Sequence, residues 1–216
     1  MNTKKYIKIA IDGPAGSGKS SVCKVISEKL GIKHVDSGAI YRTITKIILD
    51  SNLKISLYDD IEKLLKNLNI VLKDEEIYIN GTAYKNDIRS REVNELVSPV
   101  SSLICVREKV NSVLNEYSKS VPVIMDGRDI TTVVFKDADY KFYLDASVEV
   151  RAERRLKETS GDSNYDSIYK NIADRDHNDK TKAFGALKIA DDAVYIDTTE
   201  LSFNEVVDKI LSYIKF

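Results

Sequence analysis

The chain has 216 residues, enough to bury one full core, and its 33 Lys plus Arg nearly cancel 34 Asp plus Glu, for a formal net charge of −1. That balance gives no overall pull toward a polyanion, so no nucleic-acid partner is expected. No run approaches the ~20 apolar residues of a membrane span, no long apolar stretch follows Met1-Asn2-Thr3-Lys4-Lys5 as an export signal would require, and Cys23 and Cys105 are expected as reduced thiols in a cytoplasmic protein.

The first predicted strand is 6–12, where Tyr6-Ile7-Lys8-Ile9-Ala10-Ile11 alternates and is rich in β-branched residues. A glycine-rich turn follows: Gly13, Pro14, Ala15, Gly16, Ser17, Gly18, then Lys19, Ser20 and Ser21. Val22, Val25, Ile26 and Leu30 have helical spacing, and Gly31 stops that helix. Gly13, Gly18, Lys19 and Ser20 satisfy the spacing G-x-x-x-x-G-K-S between a strand and a helix, the context that makes this loop a nucleotide site. Its backbone N–H groups and the helix N-terminus attract phosphate oxygens, Lys19 reaches the β- and γ-phosphates, and the Ser20 hydroxyl can ligate Mg²⁺. Cys23, just beyond, is expected to pack.

A short strand at 33–36 leads into "HVDSGAIYR", residues 34–42, in which Ser37 and Gly38 suit a helix cap and tight turn. Arg42 either presents its planar fork to a phosphate or makes a surface ion pair. Residues 69–73 and 76–80 read as short strands around Asp74-Glu75, and Asn80-Gly81 offers a further hairpin turn. A strand at 121–126 runs into "MDGRDITTVVF", residues 125–135. There Asp126 can accept from Ser20 or from a magnesium-bound water, while Arg128 and Asp129 either serve a ligand or pair to hold the turn. A strand at 140–145 precedes "VRAERRLKE", where Arg151 and Arg155 share a helical face beside Arg154; these arginines either meet transferring phosphates or form a solvated face. The polar stretch 159–171 reads as irregular and lid-like, and 193–197 is the last strand.

Strands alternating with helices imply a parallel α/β sheet covered on both faces. Asp12, Asp36, Asp126, Asp145 and Asp197 end their strands and would line one sheet edge, the edge at which ligands bind in such folds.

These motifs together resemble bacterial cytidylate kinase, in order and along nearly the whole chain: Ile9–Arg42, Gly127–Phe135, Arg151–Arg155, Arg175-Asp176 with Asp179, and 192–210. "DSGAIYR" and "GRDI" followed by "TVVF" carry it most specifically. The resemblance implies a P-loop three-layer α/β/α fold with a five-stranded parallel sheet, divided into a core (1–60, 99–156 and 186–216), an antiparallel nucleoside-monophosphate insert (61–98) and a short lid (157–185). It implies transfer of the ATP γ-phosphoryl group to CMP or dCMP with Mg²⁺, in a cytoplasmic monomer. Ser37, Arg107 and Asp129 match positions that read cytosine, Arg42 and Arg128 positions that hold the acceptor phosphate, and Ser98, Arg175 and Asp179 positions around the sugar. Arg151 and Arg155 resemble lid arginines facing the phosphates. The chain departs from the pattern at Lys182, where an Arg near the base is expected, at Thr131 in place of a Gly, and at Asn178 in place of a charged residue. The alternatives are a P-loop kinase for another small acceptor (UMP, another monophosphate or a shikimate-like molecule) or a catalytically weak nucleotide-binding relative. A guanine-nucleotide switch lacks its Asn-Lys-x-Asp motif here.

Overall fold

The computed structural model describes residues 6–73, 76–158 and 164–215. Five parallel strands form the central sheet in the order β2-β6-β1-β7-β8. They are β1 (Lys8–Asp12), β2 (Lys33–Asp36), β6 (Val123–Gly127), β7 (Tyr140–Asp145) and β8 (Val194–Asp197). The five-stranded parallel reading is therefore borne out. Alternation along the strands sorts side chains onto two faces. Ile9 and Ile11 of β1, Ile124 of β6 and Phe142 and Leu144 of β7 pack with Val22 and Ile26 of α1 (Lys19–Leu30) and Val206 and Ile210 of α8 (Phe203–Tyr213). Ala10, Val35 and Met125 face the other way, onto Ile40 and Ile44 of α2 (Ser37–Asp50) and Val106, Val110 and Leu114 of α5 (Ile104–Ser118).

Between α2 and α5 lie α3 (Tyr58–Lys66), a separate three-stranded antiparallel sheet and α4 (Arg91–Val100). The small sheet is β3 (Ile70–Lys73), β4 (Glu76–Ile79) and β5 (Thr82–Ala83). Asn80 and Gly81 turn β4 into β5 with φ of 51° and 84°, the twist that suits a two-residue hairpin. Asp74-Glu75, expected to turn β3 into β4, lie outside the described residues.

The irregular reading of 159–171 needs correction. Residues 159–163 lie outside the described residues, but Tyr165–Thr181 form a 17-residue helix, α7, packed on α6 (Val148–Glu158). Asn164 caps it by accepting from the Asp166 N–H at 2.9 Å. Its buried positions, Ile172, Asp176 and Asp179, have helical spacing. Two of the three are carboxylates, so the buried face does not read as apolar.

Candidate functional site

The phosphate loop turns between β1 and α1 at the centre of the sheet. Gly13 has φ of 152°, and a Cβ there would sit 2.0 Å from the Leu144 carbonyl oxygen on β7; only glycine lets the loop leave the sheet so close to its neighbour. Lys19 folds back under the loop, donating to the Pro14 carbonyl at 2.7 Å and to the Ser17 hydroxyl at 3.2 Å. Burial, with Arg128 nearby, pulls its ammonium down to about 7. Ala15 and Gly16 form the loop crown, and Ser21 lies exposed on the first turn of α1.

Ser20 donates to Asp126 Oδ2 at 2.7 Å, joining the loop to the end of β6 as their spacing predicts. Asp126 Oδ1 meets His34 Nε2, also at 2.7 Å. Burial pushes the Asp126 carboxyl up, but bonds from His34 and Ser20, with the Lys19 charge, hold it below its ordinary value.

Ser37 is the first residue of α2 rather than its cap. Asp36 caps the helix, accepting from the Ala39 N–H at 3.1 Å. The buried Ser37 hydroxyl instead donates to the Asp126 carbonyl at 2.7 Å. One turn on, Arg42 has a buried Nε with no hydrogen-bond partner among the described residues, and Arg175 on α7 has another. Burial lowers both guanidinium groups, Arg175 to about 10, and each is pushed further by Arg128 and Arg155. Arg128 donates to Asp179 Oδ2 at 2.9 Å, and Lys182 pairs with Asp179 Oδ1 at 2.8 Å while reaching the Ser101 hydroxyl at 3.2 Å. Burial works against the Asp179 charge, yet Arg128, Lys182 and Arg175 bring its carboxyl down to about 2. Cations thus outnumber carboxylates around Asp179, which makes the region a receiver for a further anion.

Arg107 on α5 is buried in an ion pair with Asp129, which follows β6. Burial pushes the Asp129 carboxyl up to about 6 against the pull of Arg107. Gly185 lies flat on this pair: a Cβ there would be 2.2 Å from the Arg107 Cζ. Ser98 sits on α4, its carbonyl accepting from the Ser101 and Ser102 hydroxyls, and α4 packs against α7.

The helix α6 splits its arginines. Arg151 is buried, donating to the Ala146 carbonyl at 2.8 Å, to the loop carbonyl of Ala15 at 3.0 Å and to Asp176 at 2.5 Å. Arg154 turns to Thr198. Arg155 is largely exposed and near Glu158, yet its charge is felt at Arg42 and Arg175. Asp12 accepts from the Ile130 and Thr131 N–H groups at 2.9 and 2.7 Å and from the Thr131 hydroxyl at 2.6 Å. It thereby fixes the short π-helical turn Ile130–Val134. The hydroxyl bond exists because Thr131 stands where the resemblance expects Gly.

Four participants have no role assigned from the sequence, although Asp176 belongs to a motif that carries the resemblance. His34 lay inside a quoted motif, but nothing local says which strand neighbour it meets. Asp176, Ser101 and Gly185 act through long-range packing alone.

A strand-to-helix phosphate loop, a buried lysine beneath it and a serine–aspartate link to the next strand define a P-loop phosphotransferase. Its likeness to a solved shikimate kinase from Bacteroides thetaiotaomicron, TM-score 0.50 at 12% identity over 96% of this chain and 97% of the other, concerns the fold alone. The family model described as cytidylate kinase matches residues 9–216, and the chain belongs to that family. Relatives include the cytidylate kinase of Clostridium botulinum strain Hall, 42% identical over 97% of this chain and 98% of its own length. That of Fusobacterium nucleatum is 40% identical over 94% and 95%.

Proposed function

We propose that the chain transfers the γ-phosphoryl group of ATP to CMP, and to dCMP, giving the diphosphate and ADP. The observation that carries the reading beyond family membership is the surplus of cations around Asp179, joined through Lys182 and Ser101 to the Arg107–Asp129 pair. In the reaction a 5′-phosphate oxygen of the acceptor attacks the γ-phosphorus in line, and the bond to the β–γ bridging oxygen breaks. The loop amides and Lys19 grip the ATP phosphates. Arg42 and Arg128 hold the acceptor phosphate, and Arg155 meets the charge that spreads over the transferring group. Arg151 steadies the loop through Ala15. Ser98, Arg175 and Asp179 position the sugar, and Ser37, Arg107, Asp129 and Lys182 serve the base. Asp12 and Asp126, the buried carboxylates beside the loop, are each engaged in orienting a neighbour, so positioning and charge neutralisation carry the rate rather than a side-chain base.

Hard oxygen donors at Ser20 and Asp126 fit Mg²⁺. Ser20 would hold the ion directly and Asp126 through a bound water; the ion would supply charge neutralisation for the phosphates. Segment 61–98 serves as the acceptor insert and 157–185 as the lid, in a cytoplasmic monomer. Among the described residues no helix is long and apolar enough to cross a membrane.

The test is ADP formation from Mg²⁺ and ATP against CMP, dCMP, UMP, AMP, GMP and shikimate. Strong turnover is expected with CMP and dCMP alone; preference for another acceptor overturns the assignment of Ser37, Arg107 and Asp129. Asp129→Ala is expected to raise the CMP KM far more than it weakens ATP binding, and equal damage to both would make Asp129 a structural residue only.

The raised Asp129 carboxyl also sets a pH dependence. It is charged above about 6 and increasingly protonated below. A carboxylate that accepts from the cytosine amine is lost on protonation, so the CMP KM is expected to climb as pH falls through about 6 and to stay level above it. Asp129→Asn should flatten that profile, and an unchanged inflection would assign the titration to another group.

A further inference from the structure

Asp126 faces two ways. Its Oδ2 takes the Ser20 hydroxyl, and its Oδ1 takes His34 Nε2. Behind them lies Cys23, fully buried. Ligand atoms of Cys23, His34 and Asp126 all fall within 4.8 Å of one another. Three elements that share one packed body supply them: α1 gives Cys23, β2 gives His34 and β6 gives Asp126. β2 and β6 are paired in register. We propose that Cys23, His34 and Asp126 form a site for one thiophilic divalent cation of the zinc type, and that filling it inhibits phosphoryl transfer by drawing Asp126 away from Ser20.

The donor set selects the ion. One thiolate, one imidazole and one carboxylate suit Zn²⁺ or Co²⁺, with water as the fourth ligand, whereas Mg²⁺ prefers an all-oxygen shell. Zinc bonds of about 2.3 Å to sulfur and about 2.0–2.2 Å to nitrogen and oxygen put tetrahedral ligand atoms roughly 3.3–3.7 Å apart. To reach that spacing His34 Nε2 and Asp126 Oδ1 open from 2.7 Å as the proton between them leaves, within a trio that already lies inside 4.8 Å. On binding, the Cys23 thiol gives its proton to solvent, and His34 carries its proton on Nδ1 and offers the Nε2 lone pair. Burial holds the Cys23 thiol up, so without metal it stays protonated and inert. His34 is the way in, because it also lines a surface cleft of about 380 Å³ with Lys24, Glu28 and Lys33. One carboxylate thereby serves either a hard ion on the loop side or a soft ion on the His34 side. The inhibition rests on reading Asp126 as the acid of the magnesium site; the binding does not.

The experiment titrates Co²⁺ alone into the full-length protein and follows the thiolate-to-cobalt charge-transfer band. One cobalt per chain is expected, with the band absent in Cys23→Ala. The half-buried His34 is the safer site for a second variant, and His34→Phe is expected to weaken cobalt binding by about 10–100-fold or more. In parallel, stoichiometric Zn²⁺ is expected to cut CMP-dependent ADP formation by about tenfold or more in the wild type, reversibly with chelator, and to leave Cys23→Ala active. No charge-transfer band in the folded wild type would overturn the site. Equal zinc inhibition of wild type and Cys23→Ala would overturn the competition for Asp126. A kinase with another acceptor would still show the band, so failure of the CMP reading and failure of this one are separable.

Discussion

Lys19→Met is expected to lower turnover by about 100- to 1,000-fold, the loss that follows removal of one oriented charge donor from a phosphoryl or acyl transition state, while leaving the protein at least as stable. The two effects have one cause. Lys19 is 5% exposed, and its Nζ is held by the Pro14 carbonyl and the Ser17 hydroxyl. Among the described residues it makes no ion pair with a carboxylate. A buried ammonium with only neutral hydrogen-bond partners is costly, and burial brings it down to about 7 from an ordinary 10.5 although Asp126 and Asp12 pull the other way. Between those two values the unfolded chain binds more protons than the folded one, so the Lys19 contribution makes stability rise with pH across that window. Methionine has the same reach and carries no charge. Denaturant titrations of the free protein on both sides of the window should show the rise in the wild type and lose it in Lys19→Met. Arriving phosphates would supply the missing counter-charge, so the site stores an unmet demand that its ligand satisfies. Turnover near the wild-type level in Lys19→Met would sink this reading of the loop.

What the sequence made legible follows the range of the interactions. The strands were visible because alternation is local: Ile9 and Ile11 against Ala10 already sort two faces. The Asn80-Gly81 turn was visible because its positive φ values are a property of two adjacent residues. The Ser20–Asp126 link, 106 positions apart, could be anticipated because both residues lie at the same edge of the sheet, one after β1 and one at the end of β6, and those strands are neighbours. Helix α7 hid for the opposite reason. Its inner face carries Asp176 and Asp179, whose burial is compensated by Arg151 and Arg128 from elsewhere in the chain and by Lys182 at the helix's own C-terminus. A hydrophobic periodicity cannot register a face made of ion pairs. The role of His34 is not legible in the sequence because its meeting with Asp126 depends on β2 lying beside β6, a pairing no local pattern announces.

The arginines of α6 offer the sharpest separation of structure from chemistry. Residues 151 and 155 are one turn apart and share a helical face in the sequence. Arg151→Ala is expected to destabilise the fold by about 3–5 kcal/mol, the usual cost of breaking one side of a buried pair. The guanidinium is 3% exposed and closes three contacts at once: the end of β7 through Ala146, the phosphate loop through Ala15 and α7 through Asp176. Without it Asp176, whose Oδ1 already lacks a hydrogen-bond partner among the described residues, is left as a buried carboxylate. Replacing both partners, Arg151→Met with Asp176→Leu, should restore most of the stability, because what the single variant exposes is chiefly the orphaned charge. Arg155→Ala should behave in reverse. Its side chain is 60% exposed, so thermal stability should change by no more than about 0.5 kcal/mol. Yet its charge joins Arg42 and Arg175, and turnover should fall on the order of 10- to 100-fold with little change in the CMP KM. Thermal melts and steady-state kinetics on the two single variants and the double variant decide the matter. An Arg155→Ala enzyme with full turnover would remove that residue from the chemistry, and an Arg151→Ala protein as stable as the wild type would show that α7 is held to the loop by other means.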